Sequence, residues 1–194
     1  MCSDNKIYSI TPSGEGNWEY KINGDITSTP VIDKLGNIYL GSKGLYYNGF
    51  MNSISFNGEL NWSIETIGTP KTPAIAEDGS ICFGSWNFLY VLNQDGTTKW
   101  KYNTNVGIGN VNISEDGSIY TMSSYAGYTY WNNLSYLYAF KTNNGGLAKS
   151  SWPCLGGAAD RSRKVNTNIG DDAIEVEFGY ECDSINPSNI TFSD

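Results

Sequence analysis

Gly96-Thr97-Thr98-Lys99-Trp100 repeats a pattern already written at Gly14-Glu15-Gly16-Asn17-Trp18 and at Gly58-Glu59-Leu60-Asn61-Trp62. A degenerate fourth copy sets Gly146 six residues before Trp152. From Trp18 to Trp62, Trp100 and Trp152 the spacings are 44, 38 and 52 residues. Periods near ~40 residues mark propeller blades and other stacked repeats.

Working outward from the motif, each copy carries the same surroundings. Thr29-Pro30-Val31-Ile32, Leu35-Gly36-Asn37 and Ile38-Tyr39-Leu40-Gly41-Ser42 form the first full unit. It returns as Thr72-Pro73-Ala74-Ile75, Asp78-Gly79-Ser80 and Ile81-Cys82-Phe83-Gly84-Ser85. The third version is Asn110-Val111-Asn112-Ile113, Asp116-Gly117-Ser118 and Ile119-Tyr120-Thr121-Met122-Ser123. Two β-rich runs joined by Asp-Gly or Gly-Asn are a hairpin signal, because such turns need positive φ. Proline opens a strand where its missing N–H costs least. A further strand then alternates apolar residues, at Tyr8 with Ile10, Ile54 with Phe56, Tyr90 with Leu92 and Tyr138 with Phe140. Period two buries one sheet face. No segment carries a helical stripe, so the expectation is an all-β chain.

An indole repeated at near-constant spacing buries a large area and joins one repeat to the next. Trp18, Trp62 and Trp100 are therefore expected between neighbouring sheets. Asp78, Asp95 and Asp116 are accounted for by hairpin turns.

Composition narrows the function classes. The chain has 194 residues, 14% aromatic and only 16% charged, which suits hairpin-rich sheets rather than a helical bundle. A net charge of −8 with no basic run repels a nucleic-acid backbone, so no nucleic-acid partner is expected. No apolar run approaches the ~18 residues of a membrane-spanning helix. No basic-then-apolar leader is visible, and Cys2, ahead of Ser3-Asp4-Asn5, is a candidate acylated cysteine. The chain has no histidine, which removes Ser-His and Cys-His catalysis and the commonest zinc ligand. Cys82 stands where sister repeats have Tyr39 and Tyr120 and is expected to be buried and unreactive. Cys154 and Cys182 fall outside the regular repeats; the sequence leaves their pairing open.

The units resemble the pyrroloquinoline-quinone-type β-propeller repeat. Tyr90-Val91-Leu92-Asn93-Gln94-Asp95-Gly96, Trp100, Pro73-Ala74-Ile75, Asp78-Gly79-Ser80 and Ile81-Cys82-Phe83-Gly84-Ser85 carry that resemblance over roughly residues 6–165. It implies four-stranded blades in which Gly-x-x-x-Trp makes the contact between neighbours. Family members that bind the quinone have calcium-ligating side chains in a central funnel, an Asp base and commonly vicinal cysteines. This sequence offers no match for these, so no cofactor and no catalytic or metal residue is assigned. Gly146 through Trp152-Pro153 to Arg161 is similar to the Trp-Pro segment that ends propellers in bacterial surface and secreted proteins, with Cys154 where methionine is usual.

The expected architecture is a partial β-propeller of three to four blades over residues 1–165. Residues 166–194 follow as an irregular tail or as the opening of an immunoglobulin-like module, which Ile185 to Asp194 resembles. Three full repeats and part of a fourth are too few for a closed ring. Open blade edges invite pairing, so a longer protein or self-association is expected.

Insertions in a repeat array collect on the binding face. The loop from Lys43 to Met51 and that from Tyr125 to Asn133 are the long ones, both rich in Tyr, Gly and Asn, a composition suited to adaptable contacts. The candidate ligand-contact residues are Tyr46, Tyr47, Tyr128, Tyr130 and Trp131. The leading expectation is a non-catalytic binding or scaffold module of a bacterial secreted, periplasmic or surface protein, its protein or glycan partner unnamed. The alternatives are a fragment of a quinone-dependent dehydrogenase and a carbohydrate-binding propeller.

Overall fold

A computed structural model of the chain describes residues 5–124, 135–150 and 153–155. Every element in it is a β-strand, and every strand pairing is antiparallel. The first blade pairs β1 (Lys6–Ile10) with β2 (Gly16–Lys21). In the second, β3 (Asp25–Ile26) and β4 (Val31–Ile32) both pair β5 (Ile38–Lys43), followed by β6 (Asn48–Ile54) and β7 (Leu60–Ile67). The third runs β8 (Ala74–Ile75), β9 (Ile81–Ser85), β10 (Phe88–Leu92) and β11 (Thr98–Asn103). The fourth holds β12 (Ile108–Ile113), β13 (Ile119–Ser124) and β14 (Ser135–Phe140). This is the architecture of consecutive propeller blades, two of them complete among the described residues.

The turns explain the hairpins. Gly79 holds φ at +84°, and the Asp78 carboxylate accepts the Ser80 N–H at 2.9 Å, which closes the corner between β8 and β9. Asp116 does the same for Ser118 at 3.0 Å and Asp95 for Thr97 at 2.9 Å. Against the opposing effect of partial burial, the Lys99 ammonium and then the Ser80 N–H hold the Asp78 carboxyl below its usual range; the Thr97 hydroxyl and N–H do the same for Asp95, and the Ser114 hydroxyl with the Ser118 N–H holds Asp116 at about 2.

Three apolar clusters lie at the three blade boundaries. Ile7, Trp18 and Tyr20 of the first blade meet Ile38, Leu40 and Ile54 of the second. Val31, Tyr39 and Met51 of the second meet Ile81, Phe83 and Leu92 of the third. Cys82, Leu89 and Val91 of the third meet Ile108, Val111 and Ile119 of the fourth. Cys82 has no exposed surface, and burial pushes its thiol up to about 12.

Joining the blades is a relay of indoles. The Trp18 ring rests on Gly58 so closely that a Cβ there would stand 2.6 Å from it, and its Nε1–H donates to the Phe56 carbonyl at 2.9 Å. One repeat later, Trp62 rests on Gly96, where a Cβ would stand 2.8 Å away, and donates to the Gln94 carbonyl at 2.9 Å. The Gly58-to-Trp62 motif thus seats the preceding tryptophan on its glycine and sends its own forward to Gly96. Positive φ and the absence of a side chain are both needed there. Trp100 makes a different contact, packing beside Phe140 with ring centroids 6.1 Å apart.

Two details differ from the sequence reading. Phe56 lies outside β6, is exposed, and lends its backbone to Trp18; the inward pair in that strand is Asn52 and Ile54. A bulge before each motif, between Ser9 and Ile10, Ser53 and Ile54, and Val91 and Leu92, sets that register.

Nor does Gly146 open a fourth outer strand. Leu147 bridges Ala76, while Ala148 N–H donates to the Ile75 carbonyl at 2.9 Å and Glu77 N–H to the Gly146 carbonyl at 2.7 Å. Ser150 Oγ donates to the Ile32 carbonyl at 2.6 Å, one blade further back. Residues 144–150 therefore lie along the edge of β8 facing away from β9. The six-residue step from Gly146 to Trp152 is too long to repeat the motif, and an unpaired strand edge supplies backbone partners. Cys154, just beyond, is buried in the boundary between the third and fourth blades. Cys182 lies outside the described residues, as do Cys2, Trp152 and the whole of 166–194.

Candidate functional site

The candidate surface is built where the second and third blades turn between their middle strands. The β5–β6 connection presents Leu45, Tyr46 and Tyr47, all exposed. The β9–β10 connection is the pair Trp86-Asn87. Gly68 ties the two together: its N–H donates to the Tyr47 carbonyl at 2.7 Å, and a Cβ on it would stand 2.7 Å from Trp86 Cβ. The Trp86 carbonyl accepts the Ile108 N–H at 2.8 Å, and the Asn87 carbonyl accepts Thr104 N–H at 2.8 Å and Thr104 Oγ1 at 2.9 Å. The backbone is fixed while the aromatic rings face solvent.

That fixing carries strain. Tyr46 holds φ at +61° and Trp86 at +52°, in the left-handed region that bulky residues avoid. Such residues cost on the order of 1–3 kcal/mol and persist only where their surroundings enforce them. Yet the Tyr46 side chain is 92% exposed and Trp86 56%. The Tyr46 ring buries too little area to offset the conformation. Tyr47 meets Trp86 edge-on, with centroids 6.3 Å apart and planes at 79°.

Two clefts flank this rim. One of about 700 Å³ lies between the second and third blades, lined by Tyr46, Tyr47, Ile64, Glu65, Tyr90 and Lys101. Its floor is rigid: Tyr90 stacks on Phe83 at 5.2 Å and 2°, burial raises its phenol pKa, and Lys101 sits 5.4 Å over Phe88. The other, of about 580 Å³, lies between the third and fourth blades and is lined by Lys71, Trp86, Ile108, Met122 and Ser123. Among the described residues, Asn48 Oδ1 at the first cleft and Ser123 Oγ at the second are buried without a hydrogen-bond partner. Tyr46 and Tyr47 border the first cleft and Trp86 the second, and the Tyr47–Trp86 contact joins the two.

With that geometry in view, comparison with known proteins adds little beyond shape. No family model matches the chain, and no curated protein matches it. Solved structures do match. A protein of unknown function from Bacteroides caccae aligns with a TM-score of 0.47 and 11% identity, over 72% of this chain and 55% of that one. BamB from Moraxella catarrhalis aligns with a TM-score of 0.38 and 16% identity, over 69% of this chain and 52% of that one. The chain spans about half the length of these solved structures.

Of the residues singled out from sequence, Tyr46 and Tyr47 stand on the rim together. Tyr128, Tyr130 and Trp131 lie outside the described residues. Sequence reasoning passed over Trp86 as a short crossing. The signal was present: a two-residue hairpin turn wants Gly or Asn at positive φ, and here its first residue is a tryptophan. Among the described residues, no group of three or more Cys, Asp or Glu side chains is placed to hold a metal ion. No helix there is long and apolar enough to cross a membrane.

Proposed function

We propose that the chain is a non-catalytic binding module of a bacterial secreted or surface protein, and that it grips a peptide segment of a protein partner on the Tyr46–Tyr47–Trp86 rim. The observation that carries this reading is the strain at Tyr46 and Trp86. Two bulky residues are held in a disfavoured conformation, Tyr46 almost wholly in water and Trp86 with more than half of its surface exposed. Exposed tyrosine and tryptophan supply rigid, amphipathic contact area with few rotors to immobilise. The clefts beside them add one cation, Lys101 or Lys71, and an unsatisfied polar atom each.

Panning a displayed random-peptide library on the wild-type chain tests this, with counter-selection on Tyr46→Ala/Tyr47→Ala/Trp86→Ala. Enriched peptides should bind wild type and lose at least tenfold affinity for the triple variant at unchanged thermal stability. Enriched peptides indifferent to the three substitutions would move the site elsewhere. Binding seen only to soluble glycans would replace the peptide reading with a carbohydrate one.

A further inference from the structure

Three buried serines are equivalent by register, each the fifth residue of its strand: Ser42 in β5, Ser85 in β9 and Ser123 in β13. Ser42 Oγ donates to the Asn23 carbonyl at 2.7 Å, and Ser85 Oγ to the Ile67 carbonyl at 2.9 Å. Both acceptors lie five residues after a motif tryptophan, Trp18 and Trp62, where the chain leaves the preceding blade. The matching residue after Trp100 is Asn105. Ser123 Oγ makes no such bond. Its residue is 1% exposed, and the hydroxyl has no hydrogen-bond partner among the described residues.

A missing glycine accounts for the difference. Gly24 and Gly68, directly after the two acceptors, take φ of +83° and +79° and press on the residue that follows each serine. A Cβ on Gly24 would collide with the Lys43 carbonyl, and one on Gly68 would stand 2.7 Å from Trp86 Cβ. At the third boundary Val106 holds that place, and the positive φ falls one residue earlier, at Asn105, +60°. Valine brings the Cβ that such an approach excludes. The boundary stands apart there, and Ser123 lines the cleft of about 580 Å³.

What this cleft offers is hydrogen-bond donors. Among its described lining residues Lys71 is the charged side chain, and none is Asp or Glu. The ion pairs of the described residues are Lys6–Glu19 and Lys99–Asp78, so Lys71 has no carboxylate partner among them. An ammonium only donates. A buried hydroxyl without a partner carries its full desolvation cost, which an entering acceptor relieves. Trp86 on the same cleft supplies an apolar wall for a short aliphatic stem.

We infer that the cleft between the third and fourth blades is a carboxylate subsite, in which the Ser123 hydroxyl and the Lys71 ammonium receive one carboxylate of the peptide on the Tyr46–Tyr47–Trp86 rim. It rests on the peptide reading for the source of the ligand. An acidic side chain and a chain end present the same two oxygens.

NMR titration of the full chain with three capped probes at equal ionic strength tests it. N-acetylglutamate α-N-methylamide carries a side-chain carboxylate, N-acetylglycine a chain-end one, and N-acetylglutamine N-methylamide none. A carboxylate probe should shift the Ser123 and Gly109 amides and bind at least tenfold more tightly than the neutral one; whichever binds better names the source. On a chain of net charge −8, general attraction favours cations, so a carboxylate preference reports the site itself. Lys71→Met and Ser123→Ala should each weaken binding about fivefold or more. Ser123→Ala breaks no hydrogen bond and should keep the wild-type urea midpoint, whereas Ser85→Ala should lower it. No shift with tens of millimolar carboxylate probe, equal shifts from the neutral probe or from sodium chloride, or binding that both variants retain would each overturn the inference. Failure of the rim reading looks different: the carboxylate probes would still bind at Ser123 while displayed peptides ignore Tyr46→Ala/Tyr47→Ala/Trp86→Ala, which leaves the subsite standing.

Discussion

Gln94 donates its side-chain amide to the Asp33 carboxylate at 3.0 Å, while its own backbone carbonyl receives the Trp62 indole. One turn residue of the third blade therefore holds the second at two points. Asp33 is buried and also accepts Leu35 N–H at 2.8 Å, Asn37 N–H at 2.9 Å and Tyr39 OH at 2.9 Å. Gln94→Ala removes one hydrogen bond to a charged group and should cost about 1.5–3 kcal/mol. Asp33→Ala orphans several buried donors at once and should cost more, about 3–5 kcal/mol. Urea unfolding of the two variants measures both.

Tyr39 links this network to pH. Burial first, and then the Asp33 carboxylate beside it, raise its phenol pKa above the ordinary value. A folded-state pKa above the unfolded one favours the protonated native form. Its stabilisation is full below the unfolded value of about 10 and is lost as pH rises through the folded value. Unfolding free energy should fall above about pH 10, and Tyr39→Phe should flatten that decline.

Much of the fold was legible because repetition exposes rules that a single copy hides. Three copies of Gly-x-x-x-Trp announced the blades, and the Asp-Gly turns announced the hairpins. The partner of each tryptophan was not legible, since the motif does not say that Gly58 and Gly96 are the seats of Trp18 and Trp62. Phe56 misled because an apolar residue in a turn reads like one more step of a strand. The 144–150 segment misled because its pairing with β8 is set by an available edge, which no local pattern encodes. At the candidate site, loop length pointed to Tyr46 and Tyr47. Trp86 needed its backbone angle, a property of the folded chain.

Strain at the rim predicts an unusual pair of effects. Tyr46→Gly should leave stability unchanged or raise it by up to about 1 kcal/mol, because glycine adopts φ near +60° without penalty. Trp86→Gly should behave alike, offset by the lost edge contact with Tyr47. Both should weaken peptide capture. Thermal unfolding and binding on the same samples give the two readings.

The segment along β8 should protect the amides it covers. Ile75 N–H donates to the Pro153 carbonyl at 2.9 Å and Asp78 N–H to that of Asn144 at 3.1 Å, alongside the Glu77 bond to Gly146. Hydrogen exchange at Ile75 and Glu77 should be slow. Ala148→Pro, which removes the donor to the Ile75 carbonyl, should accelerate it at least tenfold.

The most direct test is the stability of Gly14→Ala, Gly58→Ala and Gly96→Ala, compared by urea unfolding. All three glycines hold φ near +85°, so all share the backbone penalty of about 1 kcal/mol. Only Gly58 and Gly96 lie against an indole, so their variants should lose a further ~1–3 kcal/mol from overpacking. Equal losses at the three positions would mean that Trp18 and Trp62 do not rest where the structure puts them, and that the blades are not joined through them.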